Sequence, residues 1–223
     1  MIKSSKLYFG LSIALTILFI LLTACVIFVD VQAIGPENSK IGLASINGFV
    51  FDQVGTNTLF YDASSLLGAI SFLMPVIFGL TALVQWIKRK KITLVDLDLI
   101  LLGVIYLITA ACYVLFEIFI VNCRPVLEDG ALEASYPSSH TLLVIVLIGT
   151  AMLQIGKIIR KKWLKATLIA AANLIIDLTV VFRLLSGVHW FTDILGGLLL
   201  GSALVFLYRG LYDRLKKPTA EIE

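Results

Sequence analysis

The stretch Phe182 to Asp193, FRLLSGVHWFTD, lies between two long apolar segments and gathers Arg183, His189 and Asp193 around a Ser186-Gly187 pair. A Ser-Gly pair between two apolar runs marks a turn, where one helix ends and the next begins. The flanking runs are each long enough to cross a bilayer, since about 20 mostly apolar helical residues span roughly 30 Å of hydrocarbon. The turn therefore joins two membrane helices, and its charged groups belong at the mouth of a bundle.

Working outward, stretches that qualify as spans begin near Leu7, Leu66, Leu97, Thr141, Ala166 and Phe191, which predicts six transmembrane helices. The chain is 59% hydrophobic and 15% charged, and its mean hydropathy is +0.99. The expected fold is an all-α integral membrane bundle forming a single domain over residues 1–223, because no polar segment is long enough to bury a core of its own. The fourth span is the shortest and carries Gln154 near its inner end.

Lysine and arginine set the orientation, because short loops rich in them stay in the cytoplasm. All but three of the 18 basic residues fall before the first span or after the second, fourth and sixth. Both termini are thus expected to be cytoplasmic, with Lys40, Arg124 and Arg183 left for the outer side. The net charge of +3 expresses this topology, and no basic patch suggests nucleic acid. The N-terminal run, with LTAC ending at Cys25, is followed by the apolar VIFV and is expected to remain as an uncleaved anchor. Cys25, Cys112 and Cys123 are spaced neither as a disulfide framework nor as a zinc site.

Three outer segments carry most of the remaining polar chemistry. In the first, over about residues 31–65, Leu43, Ile46, Val50 and Val54 share one helical face and Ser45, Gly48 and Asp52 the other, which suits a helix lying in the interface. Such a helix either covers lateral access for a lipid or is an ordinary loop helix. The second reads NCRPVLEDGALEASYPSSHTLL. Arg124 ends the third span before Pro125, and Ser138 or Ser139 caps the fourth helix next to His140, leaving first-turn N–H groups of a kind that bind phosphate. Taken alone, the same residues are also a plain helix start and an interfacial histidine. The third is the opening stretch, where four-residue spacing puts His189 and Asp193 on one helical face. A carboxylate there accepts a hydrogen bond from one imidazole nitrogen and leaves the other as a base or nucleophile.

The chain has only two histidines, and the charge pattern places both at the outer mouths of spans beside two arginines. Arginine within lipid marks a functional or paired site, and its planar fork suits phosphate. Two arginines, two histidines, an orienting aspartate and a helix start compose a phosphoryl-transfer site.

At these residues the sequence resembles the type 2 phosphatidic acid phosphatases, membrane lipid phosphatases that share a fold with some haloperoxidases. Arg124-Pro125 matches the end of the first family motif, Pro137-Ser138-Ser139-His140 the second, and Arg183, His189 and Asp193 the third. The motif-bearing region runs over about residues 117–193. The resemblance implies that His189 attacks phosphorus to form a phosphohistidine, His140 protonates the leaving oxygen and Asp193 orients His189. It also implies that Arg124, Arg183, Ser138 and Ser139 hold the phosphate, with no metal and no cofactor. The implied substrate is a lipid phosphate or pyrophosphate, such as phosphatidic acid, phosphatidylglycerol phosphate, diacylglycerol pyrophosphate or a polyprenyl pyrophosphate, met at the outer face of the plasma membrane. Oligomeric state is left open.

The match has departures. Glu117 stands where the family usually has lysine, Ser139 where glycine is usual and Phe182 where serine is usual. Glu117 either competes with phosphate for an arginine or pairs with one structurally, so a catalytically silent lipid-binding relative is one alternative. A small transporter using Asp177 is another, although a buried hydrogen bond within the bundle is the expected role for Asp177 and Asn173. Gly197 and Gly201 form a small-residue face expected to seat the sixth span within the bundle. Glu128, Asp129 and Glu133 either attract a divalent cation or, as expected, form a solvated loop, and the thiol of Cys123 is expected to ionise readily beside Arg124.

Overall fold

The computed structural model describes residues 2–128 and 130–215. Asp129 of the acidic run, and Lys216 and Lys217 of the C-terminal basic cluster, lie outside the described residues, as do the side chains of Ile2 and Lys3. The described chain is all-α: α1 (Ile2–Phe28), α2 (Ala44–Val54), α3 (Thr58–Ser71), α4 (Leu73–Arg89), α5 (Leu97–Ile118), α6 (Ser139–Ile158), α7 (Lys162–Leu185) and α8 (Phe191–Leu215). Among the described residues, six stretches are long and apolar enough to span a membrane.

The second of these differs from its expected start near Leu66. It runs Thr58–Arg89, because α3 and α4 follow one another with a break at Phe72. Asn57 caps α3 by accepting from the N–H groups of Leu59 and Phe60. The first half, α3, packs against α6 and α7, with Ser64, Gly68 and Ser71 buried. Hydropathy missed this half because its inward side is polar, while α4 buries no residue and faces outward.

Helix α6 is the centre of the bundle. Of its apolar window 61% is buried, against 17–22% for the first three spans, and it packs against α8, α7, α3 and α5. This explains why the fourth span looked weakest in sequence: a helix surrounded by protein can carry Gln154, which is buried and donates to the Tyr208 hydroxyl. The main core joins Phe19 and Val26 of α1, Leu102 and Ile105 of α5, Leu142 and Val146 of α6, and Leu204 and Tyr208 of α8.

The contact between α6 and α8 is close because the facing residues of α8 are glycines. A Cβ on Gly197 would lie 2.8 Å from Thr141 Cβ and 2.9 Å from the Ser138 carbonyl oxygen, and one on Gly201 would lie 3.0 Å from Ile145 Cβ. The glycine face thus serves packing within the chain. Asp177 is different from its expected place: it and Asn173 lie on the exposed face of α7, pointing away from the bundle. Asn173 donates only to the carbonyl of Ile169 in its own helix, so neither residue makes the buried bundle contact that their one-turn spacing suggested.

Candidate active site

At one end of the bundle, the start of α6 meets the start of α8, the end of α7 and the loop that follows α5. Ser138 is the N-cap of α6 and its hydroxyl accepts from Thr141 N; its own N–H donates to the Asp193 carbonyl, 2.9 Å away. This fixes which of the two serines caps. Ser139 and His140 follow as the first helical residues, whose N–H groups have no acceptor within the helix. The backbone of α8 is therefore tied directly to the cap of α6.

The opening stretch folds as a tight turn, with Gly187 at φ +68° and packed so closely that a Cβ would lie 1.9 Å from the Gly55 carbonyl oxygen. Only glycine meets both demands. Asp193, in the third helical position, reaches back to accept from the Trp190 N–H at 2.8 Å, the return half of a capping box. His189 and Asp193 are both almost fully buried, at 3% and 0% exposure. His189 Nδ1 lies 3.6 Å from Asp193 Oδ2, in ion-pair range but longer than a hydrogen bond. That oxygen is already engaged by Trp190, so the two side chains are adjacent where sequence predicted a bond.

Burial pushes the His189 imidazole well below its ordinary value, and the Arg124 and Arg183 cations add to the effect. It is therefore neutral at neutral pH, with a lone pair available. Among the described residues neither of its ring nitrogens makes a hydrogen bond of good geometry, although the Ser135 backbone lies beside the ring, and Nδ1 of His140 makes none either. His140 stands against α3, its Cδ2 3.0 Å from where a Gly68 Cβ would lie.

The arginines are held differently from one another. Arg183 is 1% exposed; Nη2 donates to Ser65 Oγ at 3.2 Å and the guanidinium lies 5.0 Å from the Tyr61 ring centroid, while Nε and Nη1 have no partner. Arg124 sits in a loop pinned by backbone pairing between Cys123 and Ala134 and between Glu128 and Ala131. Its Nη1 is 2.7 Å from Glu128 Oε2 and its Nε 3.3 Å from Glu133 Oε2. Both nitrogens nevertheless lack hydrogen-bond geometry to those oxygens, so the contacts are Coulombic and poorly directed.

Two expectations about this loop change. Glu128 and Glu133 are partners of Arg124, whereas Glu117, the suspected competitor, forms no ion pair among the described residues and lies beside Tyr113. Although burial alone would push the Glu128 carboxyl up, the Tyr61 hydroxyl and the two arginines hold it below the usual range. Cys123 is also corrected: burial, with Asp193 adding, pushes its thiol up, so the charge of Arg124 does not make it reactive.

Sequence reasoning missed three contributors. Ser65 and Tyr61 on α3 escaped because that half-span was read as loop. Asn47 on α2 is fully buried: its amide donates to the Gly42 carbonyl at 2.8 Å and to Thr192 Oγ1 at 2.9 Å, and its oxygen accepts from Thr192 N at 3.1 Å. The inward face of α2 is thus Ala44, Asn47 and Phe51, with Ile46 and Phe49 exposed, a different division from the one hydrophobicity suggested. A buried asparagine in a loop helix was the available signal.

Two openings reach this region. A narrow cavity is lined by Tyr113, Glu117, Ser135, Tyr136, Ser139 and His189, among others. A wider cleft of about 450 Å³ is lined by Asn57, Tyr61, Leu127, Glu128, Ser186 and Val188. Arg183 Nε and Nη1, which have no hydrogen-bond partner among the described residues, and the N–H groups of Ser139 and His140 at the start of α6, together with two histidines, form a place for a compact multivalent anion.

The PAP2 superfamily model matches residues 98–217. A solved structure, a transmembrane PAP2-type phosphatidylglycerolphosphate phosphatase from Bacillus subtilis, is similar at TM-score 0.64 and 20% identity, covering 92% of this chain and 98% of that one. No curated protein matches in sequence.

Proposed function

The chain belongs to the PAP2 superfamily, and from that premise we propose that it is a membrane phosphatase hydrolysing a lipid phosphate or lipid pyrophosphate at the extracytoplasmic face. The observation that carries this reading is the convergence of unpartnered Arg183 N–H groups and a neutral, buried His189 beside the capped start of α6. The site lies at span mouths, where a lipid phosphate arrives while its tails stay in the bilayer. The phosphatase of Bacillus subtilis named above has the same fold.

In the proposed mechanism the phosphate sits among Arg124, Arg183 and the Ser138-Ser139 start of α6. Nε2 of His189 attacks, since Asp193 stands on the Nδ1 side. The N–P bond forms as the P–O bond to the leaving group breaks, and His140 gives its proton to the departing oxygen. His140 then takes a proton from water, whose oxygen attacks phosphorus and releases His189. Charge on the transferred group is compensated by the two guanidiniums and the helix start, so the reaction is proposed to need no metal ion.

One observation favours a second reading. Arg124 is already paired with Glu128 and Glu133, so the chain would bind lipid phosphates without turnover if those pairs persisted. Phosphate release by the purified protein from a panel of lipid phosphates, with EDTA present, decides between the two. Release is expected; binding of the same lipids without release would establish the silent reading.

A further inference from the structure

Resting on the phosphatase reading, we propose that Glu128 is a tethered competitor of phosphate: its carboxylate takes the anion place on Arg124, Tyr61 holds it there, and an arriving phosphate displaces it. Two contacts define its position. Oε2 lies 2.7 Å from Arg124 Nη1, and Oε1 accepts from the Tyr61 hydroxyl at 2.5 Å, so the carboxylate bridges the loop after α5 to α3. It is also within electrostatic reach of Arg183, His189 and His140, the groups proposed to hold and transfer the phosphate. A single negative group that acts on both guanidiniums and both histidines stands where a bound phosphate would put its own charge.

The contact is one that a phosphate can break. Arg124 Nη1 and Glu128 Oε2 are close but lack hydrogen-bond geometry, and a phosphate offers the guanidinium better directed oxygens. Glu128 is partly exposed and lines the wider cleft with Tyr61, so the displaced side chain has room to swing into. Glu133 differs: it lies on the Nε side of the same guanidinium at 3.3 Å and is more exposed, and among the described residues no α3 side chain holds it. A site that must first release its own carboxylate binds an outside anion more weakly, in proportion to the fraction of time it stands open. Removing the charge of Glu128 therefore tightens phosphate binding. Were the carboxylate only a support for Arg124, removing it would loosen binding instead.

The test is calorimetric titration of the purified protein in detergent with inorganic phosphate, alongside hydrolysis of hexadecyl phosphate, for the wild type, Glu128→Gln, Tyr61→Phe and Glu133→Gln. Glu128→Gln is expected to bind inorganic phosphate about tenfold tighter and to lower KM for the ester. Tyr61→Phe keeps the ring beside Arg183 but frees Oε1, and should shift both in the same direction by less, while Glu133→Gln should shift them little. Unchanged or weaker phosphate binding in Glu128→Gln or Tyr61→Phe, or an equal gain in Glu133→Gln, overturns the inference and leaves the phosphatase reading standing. A wild type that releases no phosphate from any lipid overturns the phosphatase reading, and the titrations still decide whether Glu128 competes with phosphate.

Discussion

At the scale of single residues, His189 and His140 are asked to do different chemistry, and the difference is measurable. Replacing His189 with alanine removes the proposed nucleophile and should abolish release. His140→Ala removes the proposed general acid, typically about a hundredfold to ten-thousandfold, but only where the leaving oxygen needs a proton. With 4-nitrophenyl phosphate, whose leaving group departs without help, the His140→Ala deficit should shrink while the His189→Ala deficit stays complete; equal deficits on both substrates would sink these roles. Burial of His189 has a stability consequence as well. Its imidazole is held far below 6.5 when folded, so below that pH the unfolded chain takes up a proton that the folded chain refuses. Stability is therefore highest above about 6.5 and declines as pH falls. Melting of the wild type in detergent should drop more between about pH 7 and about pH 5 than that of His189→Gln; parallel curves would show that other groups carry the acid loss. The motif residues were legible in sequence because they are rare polar types at fixed spacings in an oily chain. The hydrogen-bond state of Asp193 was not, since one oxygen serves Trp190 and only the fold reveals that.

At the scale of elements, the start of α8 is held by an element that carries none of the motif residues. Asn47 of α2 bonds both the backbone and the hydroxyl of Thr192, immediately before Asp193, and Asn122 accepts from Gly42 N at 3.1 Å. The segment between α1 and α3 is thereby fastened to the turn that carries His189. Substituting Asn47 with alanine leaves buried partners unmet, a cost of about 1–3 kcal/mol, and should lower kcat with KM for the lipid less affected. Asn47→Asp keeps the acceptor for Thr192 N but loses both donated bonds, and should fall between. Steady-state kinetics with melting curves separates the effect on geometry from loss of fold; an Asn47→Ala protein with normal kcat would show that α2 is only a cover. Periodicity located a helix at α2 but assigned its faces by hydrophobicity. That rule fails where the buried side is chosen for hydrogen bonding. The same failure hid α3, whose inward Tyr61, Ser64 and Ser65 lowered the hydropathy of a segment that belongs to the bundle.

For the whole molecule, apolar runs revealed the number of spans because lipid demands a helix for every crossing, and the identity of the central helix was hidden for the same reason: α6 faces protein, so it need not be the most apolar. The basic clusters gather at one end. Ser4 bonds Asp213 at 3.1 Å, Lys157 reaches Asp98 at 3.3 Å and Arg89 reaches Asp96 at 2.7 Å, while the arginines and histidines of the candidate site lie at the other end. This separation is a geometric fact, and assigning a compartment to each end rests on the positive-inside tendency. Single cysteines in a background with Cys25, Cys112 and Cys123 replaced by alanine test it. Asp52, on the exposed face of α2, and Lys161, in the loop before α7, are both exposed. Asp52→Cys should react with an impermeant thiol reagent on intact cells, and Lys161→Cys only after the membrane is opened. The reverse pattern would place the site in the cytoplasm, and a substrate reaching it would then come from the inner leaflet.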